Sequence, residues 1–533
     1  MLTYFVIAPI FIAVLLYLIP FFKARKALVI LAQGALFLAA CYLFFRTRET
    51  EIVTIVGEYS GFLGIILRAD QLAAMFVGLT TLMFLIITVY SFNEQKDSRL
   101  FWFLLFIWEG AFIGLFLTRD LFNIFVLAEV SSAVAAVLLM YKRTNRSSYH
   151  GIIFLMVNVI VMQFYLLGVG YLYMLTGALD MEYSHMIVST LDRSRLILPF
   201  ALIMTAIAAK SSMLPLFTFL PKVQSIPRAP VSVAALFSAL QVKSGLYLFL
   251  RFRHLFEAID MTGIFLALGI LTAVVGVAFA LTQTDVKRIL AYSTVAQAGL
   301  IMVGLNLEGV YAYVGSMYHI ISHAISKSLL FLATGMVIRV YNTRDIGEIR
   351  GVLRSLPVVG VCIVFGILSI TGAPLFGGNI SKYFMMAEVN LPLFITMSFI
   401  NLGTILVFIK FARILFGTPS EEVAQQQPIQ VDKFKQTAIV ILSALCLAGG
   451  VFGPGLVRLL FGVDATVSLG GFVEKLIILL VSWAVGLLLT KYRHLGRGGL
   501  QRVTNRLDFG FRGITVSMGA FLVLMLVLVG VLM

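Results

Sequence analysis

Apolar runs of about twenty residues recur from one end of this chain to the other, each long enough to cross the ~30 Å hydrocarbon core of a bilayer. The runs are continuous rather than alternating, which excludes an outer-membrane barrel. Of 533 residues, 60% are hydrophobic and 12% charged, a balance foreign to soluble domains of this size. The chain therefore reads as an all-α polytopic membrane protein with about 14–16 transmembrane helices. Spans are expected near 3–22, 27–45, 70–92, 100–118, 120–141, 150–175, 196–220, 230–250, 261–283, 289–305, 309–338, 356–394, 395–416, 436–461, 472–490 and 513–533. The longest polar connections, 46–69, 176–195, 417–435 and 491–512, are too short for a soluble domain.

Loop charge gives the orientation. Counted in alternation, the loops of one side carry 25 lysines and arginines against 10 on the other. Such a bias places the richer side in the cytoplasm, and both termini on the outer side of a cell (inner) membrane. The apolar stretch from Met1 to Pro20 has no basic n-region and reads as a first span, not a cleaved signal. The net charge of +15 is spread over short loops. It suits an anionic lipid leaflet, and no nucleic-acid partner is expected. Cys41, Cys362 and Cys446 stand alone in apolar runs, without ligand or disulfide spacing.

Ionisable residues inside such runs cost at least ~3 kcal/mol each on insertion scales, so a set of them marks a pathway. Here they are Lys210, Lys243, Lys327, Lys382, Lys410, Glu109, Glu129, His319 and His323. Two spans are also broken. Pro215 and Pro221 follow Lys210, and Gly372, Pro374, Gly377 and Gly378 precede Lys382. Broken backbone at membrane depth is tolerated only beside protein or a water-filled cavity. Two interrupted helices, each with a lysine and five spans apart, suggest two five-helix repeats. The chain then divides into 1–95, a first repeat 96–255, a second repeat 256–416, and C-terminal helices 417–533.

Glu129 lies mid-span and has Lys210 as its expected partner. A carboxylate and an ammonium in a half-buried site respond oppositely to burial and to each other, so opening the pair can release a lysine proton. A static buried ion pair is the structural alternative. Lys243 is flanked by small and hydroxyl residues that leave room for water, though its stem could also run towards the end of its helix. His319, His323 and Lys327 stand at i, i+4 and i+8 on one helix face, and histidine titrates near neutral pH. Zinc would need a third ligand that no nearby spacing offers, and bis-histidine haem needs opposite faces, so no metal or cofactor is expected. Lys410, one turn before Arg413, is expected to snorkel to the interface. Glu109 either feeds the pathway or pairs with another helix.

The strings carrying these residues resemble the antiporter-like proton-translocating subunits shared by respiratory complex I, membrane-bound hydrogenases and Mrp-type multisubunit sodium/proton antiporters. They are Asp120 to Glu129, Lys210 to Pro221, Pro230 to Arg251, Asp285 to Gly299, His319 to Gly335, and Gly372 to Lys382. The segments around Arg119 and at 175–181 look most like the D-type member of the Mrp complexes. The resemblance implies a fourteen-helix core of two inverted five-helix repeats with discontinuous helices 7 and 12. It also implies a midplane relay: Glu129 and Lys210 as a modulated pair, Lys243 as the bridge, His319 and His323 as the central station, and Lys382 at the exit. Departures are His150 where the family usually has a lysine, the charged Glu109 and Arg119, and a poorly matched region past 436.

The reading that follows is a proton-translocating membrane subunit of a multisubunit Na+/proton antiporter, embedded in lipid among other membrane subunits. The alternatives are the same kind of subunit in an NADH–quinone oxidoreductase or hydrogenase complex, one coupling ion flow to inorganic-carbon uptake, or a structural anchor.

Overall fold

The computed structural model describes residues 1–18, 22–57, 64–95, 98–226, 229–425, 429–464, 469–491, 504 and 509–532. Lys96, Arg228, Arg493, Arg497, Arg502 and Arg506, which contribute to the cytoplasmic charge count, lie outside the described residues.

Helices α1 (Leu2–Leu18) and α2 (Phe22–Thr47) precede a hairpin of β1 (Ile52–Val56) and β2 (Ile65–Ala69). Then come α3 (Gln71–Ser91), α4 (Arg99–Leu117), α5 (Leu121–Leu139), α6 (Asn145–Thr176), the short α7 (Met181–Val188) and α8 (Arg193–Lys210). A 3-10 turn leads to α9 (Phe219–Gln224), and α10 (Val231–Leu236) continues through a π-turn into α11 (Val242–Leu255). The next helices are α12 (Thr262–Thr282), α13 (Val286–Leu305), α14 (Val310–Tyr341), α15 (Val352–Ser355), α16 (Pro357–Thr371), α17 (Gly377–Met385) and α18 (Leu391–Ala412). The chain closes with α19 (Glu421–Gln425), α20 (Lys433–Val451), α21 (Gly453–Phe461), α22 (Leu469–Lys491) and α23 (Phe511–Leu532).

Among the described residues, 12 helices are long and apolar enough to cross a membrane, with shorter apolar helices at Leu2–Leu18 and Pro357–Thr371. The burial pattern is that of a membrane bundle. Leu31, Met174, Phe399 and Leu480 face outward, while Lys243, Lys327, His319 and Glu109 are buried. With no water in the hydrocarbon, polar side chains are held inside the bundle.

The connection at 46–69 is more than a loop. Ile52–Val56 pairs antiparallel with Ile65–Ala69, Ile52 opposite Ala69. Its β-branched run is too short to span and suits a half-exposed ribbon. Backbone bonds join the hairpin to the start of α5, Arg119 N–H donating to Ile66 O over 2.9 Å. Asp70, the cap of α3, accepts from Arg251 through both oxygens, at 2.7 and 2.6 Å, and from Arg119 at 3.0 Å. This arginine pair locks the hairpin face.

One capping device occurs twice. Asp120 caps α5 and bridges to Asp180, while Asp285 caps α13 and bridges to Asp345. Because successive spans run antiparallel, the first bridge lies on the hairpin face and the second on the opposite face. Both expected helix breaks are present, between α8 and α9 and between α16 and α17. Each holds a non-glycine residue in the left-handed region, Ser212 at φ 57° and Leu375 at φ 71°. L-residues there cost ~1–2 kcal/mol each, so the surrounding packing must enforce these turns.

Candidate functional site

The predicted residues converge on the interior, and each of three lysines is satisfied by backbone that helix irregularity has freed. Lys382 Nζ donates to Ile370 O at 2.8 Å, a last-turn carbonyl of α16 exposed by the break, and to Asn401 Oδ1 of α18 at 2.7 Å. Lys243 Nζ donates to Ser238 O inside the π-turn Phe237–Gln241. A π-turn shifts the ladder by one residue and turns a carbonyl sideways. Lys410 Nζ donates to Leu281 O at 2.7 Å and to Gln283 O, capping the end of α12. Lys410 is thus buried in protein rather than snorkelling to the membrane surface, because the exhausted helix end offers orphan carbonyls closer than water does.

At the centre, Lys243 Nζ lies 2.7 Å from His323 Nδ1. Two donors cannot both hold a proton along that line. Either the ammonium donates to a neutral imidazole or a neutral amine accepts from the ring, so one proton is shared. His323 Nε2 is buried without a hydrogen-bond partner. The His319 ring centroid lies 6.0 Å from that of His323. Its Nδ1 is 2.8 Å from Ser381 Oγ and its Nε2 is 2.9 Å from Gln297 Oε1. An amide oxygen only accepts, and the Gln297 amide nitrogen donates to Thr404 Oγ1 at 3.1 Å, so the His319 proton is assigned to Nε2. Nδ1 then faces Ser381, the residue adjoining Lys382. Lys327, on the same helix, turns to α13, donating to Leu290 O at 2.9 Å and to Ser293 Oγ.

Glu129 and Lys210 stand apart from direct contact. Glu129 Oε1 is buried without a hydrogen-bond partner, yet each residue feels the other's charge. The end of α8 at Lys210 packs directly against α11. A Cβ on Gly245 would lie 2.6 Å from Ser211 N and 2.7 Å from Lys210 C, so only glycine admits this approach. Next to Lys210 and Lys243 in sequence are the buried polar atoms Ser211 Oγ, Ser212 Oγ and Gln241 Oε1, without hydrogen-bond partners among the described residues. Such orphaned groups are what buried water bonds to. Beyond Lys382 lies a cavity of about 40 Å³ lined by Asn379, Tyr383, Ser398 and Asn401, room for a water molecule.

Glu109 pairs with another helix. It is fully buried and accepts from Gln33 Nε2 of α2 at 2.5 Å. Gln297, Ser381 and Asn401 were absent from the sequence-derived set. The signal for them was a polar residue isolated in an apolar span, weaker than a charge because an amide or hydroxyl often satisfies itself on its own helix.

A family model described as NADH:quinone oxidoreductase/Mrp antiporter, transmembrane, matches residues 118–408, which contain Glu129, Lys210, Lys243, His319, His323, Lys327 and Lys382 but not Glu109 or Lys410. The chain belongs to this NADH:quinone oxidoreductase/Mrp antiporter family. A relative, the D-type member of the Na(+)/H(+) antiporter of Alkalihalophilus pseudofirmus, is 30% identical over 361 residues, 66% of this chain and 73% of the relative. Among solved structures of the same fold is a chain of the Mrp complex from Dietzia sp. DQ12-45-1b, with TM-score 0.79 and 21% identity, covering 90% of this chain and 99% of that one. A chain of the archaeal membrane-bound sulfane sulfur reductase, a respiratory membrane complex, gives TM-score 0.79 at 22% identity, covering 91% and 99%. Family membership accounts for the multi-pass membrane architecture.

Proposed function

We propose that this chain is the proton-translocating membrane subunit of a multisubunit monovalent-cation (Na+)/proton antiporter, working with other membrane subunits in a cell membrane. In this reading Glu129 and Lys210 form the modulated pair, Lys243 and the His323–His319 station relay the proton, Lys327 tunes the station's charge, and Lys382 passes the proton out. The single observation that carries it is the 2.7 Å contact between Lys243 Nζ and His323 Nδ1. A static anchor has no use for a buried donor pair that must share one proton, since apolar packing is as stable as or more stable than buried charge. The recurring aspartate bridges on opposite faces support two inverted repeats over 96–255 and 256–416, with the hairpin face outside.

When Glu129 moves close to Lys210 it holds the ammonium charged; in the separated arrangement that support weakens, and the lysine gives up its proton towards Lys243. The His323 imidazole takes that proton, and His319 delivers it through Ser381 to the Lys382 side. The test is cation/proton exchange by the assembled complex in vesicles. Lys243→Ala is expected to reduce exchange at least tenfold while the complex still assembles. Full exchange from an assembled Lys243→Ala complex would falsify the relay. Copurification in mild detergent separates the assemblies: small membrane subunits alone fit the antiporter, whereas iron–sulfur or flavin proteins place the same relay in a redox-driven pump.

A further inference from the structure

Away from the relay, His185, His254 and Glu257 meet on the hairpin face. His185 sits in the last turn of α7 and His254 in the last turn of α11, with Glu257 one turn further on. The two imidazoles stack with centroids 4.4 Å apart and planes 30° from parallel. One donor atom from each of the three residues lies within 4.8 Å of the other two. His185 Nε2 is 4.0 Å from Glu257 Oε2.

The orientation of His185 is set from behind. Its Nδ1 lies 3.4 Å from Leu255 O, a carbonyl that only accepts, so the ring proton belongs on Nδ1 and the Nε2 lone pair turns towards His254 and Glu257. A backbone acceptor behind a ligating imidazole is the usual support of a metal-binding histidine. Two imidazoles and a carboxylate with a fourth position open to water form the donor set of an open zinc site. Metal–ligand distances of ~2.0–2.2 Å require the donors to close by roughly 1 Å. His254 and Glu257 are exposed and can rotate inward, while the half-buried His185 provides the fixed point.

Access is direct. His254 and Glu257 line a cavity of about 790 Å³ together with Asp260 and Glu308, so an ion arrives from water without entering the bundle. On the same wall Asp260 and Glu308 outnumber Arg253, a balance that favours a cation. From this mouth α11 runs inward to Lys243.

We propose that His185, His254 and Glu257 bind one divalent transition-metal ion, with Zn2+ as the natural occupant, joining α7 to the hairpin-face end of α11. Binding stands independently of the relay. Its consequence, slower exchange when α11 is clamped, rests on the proton-relay reading above. The experiment uses the purified assembled complex. Co2+ is titrated and its visible ligand-field absorption followed, then displaced by Zn2+, in wild type and in the His185→Ala/His254→Ala double variant. The wild type is expected to bind one more Co2+ than the variant, with Glu257→Gln weakening that ion about tenfold. Equal Co2+ stoichiometry and spectra in wild type and double variant overturn the site, whatever the exchange activity. In vesicles, Zn2+ is expected to inhibit wild-type exchange at least tenfold more potently than that of the double variant. Equal inhibition overturns the clamp while leaving the relay standing.

Discussion

Lys243 and His323 show what a single contact contributes. They are 80 residues apart in sequence and 2.7 Å apart in space, and each constrains the protonation of the other. The type of each group was legible in the sequence because charge in an apolar run is costly to retain without use. Their pairing was not, since i, i+4 spacing places His319 and His323 on a face without saying which helix faces them. Gln297 was invisible for a different reason: an amide costs far less to bury than a charge. It fixes His319 Nε2–H as a donor. Gln297→Leu leaves that buried N–H unpaired, a cost of about 1–3 kcal/mol. Proton exchange in vesicles is expected to fall severalfold, with a shifted pH profile, while the complex assembles. An unchanged profile would remove Gln297 from the relay.

At the scale of elements, the broken helices do the positioning. Proline and glycine clusters announced the breaks, and the freed carbonyls then hold the lysines, Ile370 O for Lys382 and Ser238 O for Lys243. Gly245 lets α11 press against the end of α8. Gly245→Ala puts a methyl against backbone that cannot retreat, an overpacking cost of about 1–3 kcal/mol or more. The complex is expected to melt several degrees lower in a thermal scan, with exchange impaired because Lys210 and Lys243 are pushed apart. Lys410 is a contrasting case, since it caps α12. Lys410→Met is expected to lower thermal stability by about 1–2 kcal/mol through lost capping while keeping most of the exchange. Abolished exchange in a stable Lys410→Met complex would move that lysine into the pathway. The π-turn and the hairpin had no comparable sequence signal. A π-turn arises where packing forces an extra residue into a turn, and the hairpin run is too short for its alternation to stand out.

Across the whole molecule, the two faces are fastened by ion clusters outside the membrane. On the hairpin face, burial pushes the Asp70 carboxyl up, but the Arg251 bonds and the Arg251 and Arg119 charges outweigh it and leave the pKa at about 2. A depressed carboxyl stabilises the fold above its unfolded value of ~3.9, and that contribution is lost as pH falls through about 2. The cluster is therefore expected to hold from neutral pH down to about 4 and to fail below it. Asp70→Asn removes the shared counter-ion of two arginines and is expected to cost about 3 kcal/mol at pH 7, a loss that shrinks in acid. Thermal melts of wild type and variant across pH check the sign; a gap that widens on acidification contradicts it. On the other face, Glu94 is lifted by burial but held below the usual carboxylate range by Lys435, Lys142 and Arg339, tying α20 to the loop after α3.

The amino-acid sequence determined the membrane class, the spans, the two breaks and the residue types of the proposed relay, because each follows from the cost of placing polar groups in hydrocarbon, a cost local to a residue and its neighbours. Tertiary structure alone decided who meets whom. It set His323 against Lys243, Gln297 behind His319, Glu109 on Gln33, and His185 of α7 beside His254 of α11. Those meetings depend on how long helices cross, and crossing is decided by packing at positions far apart in the chain, where no local pattern reports it.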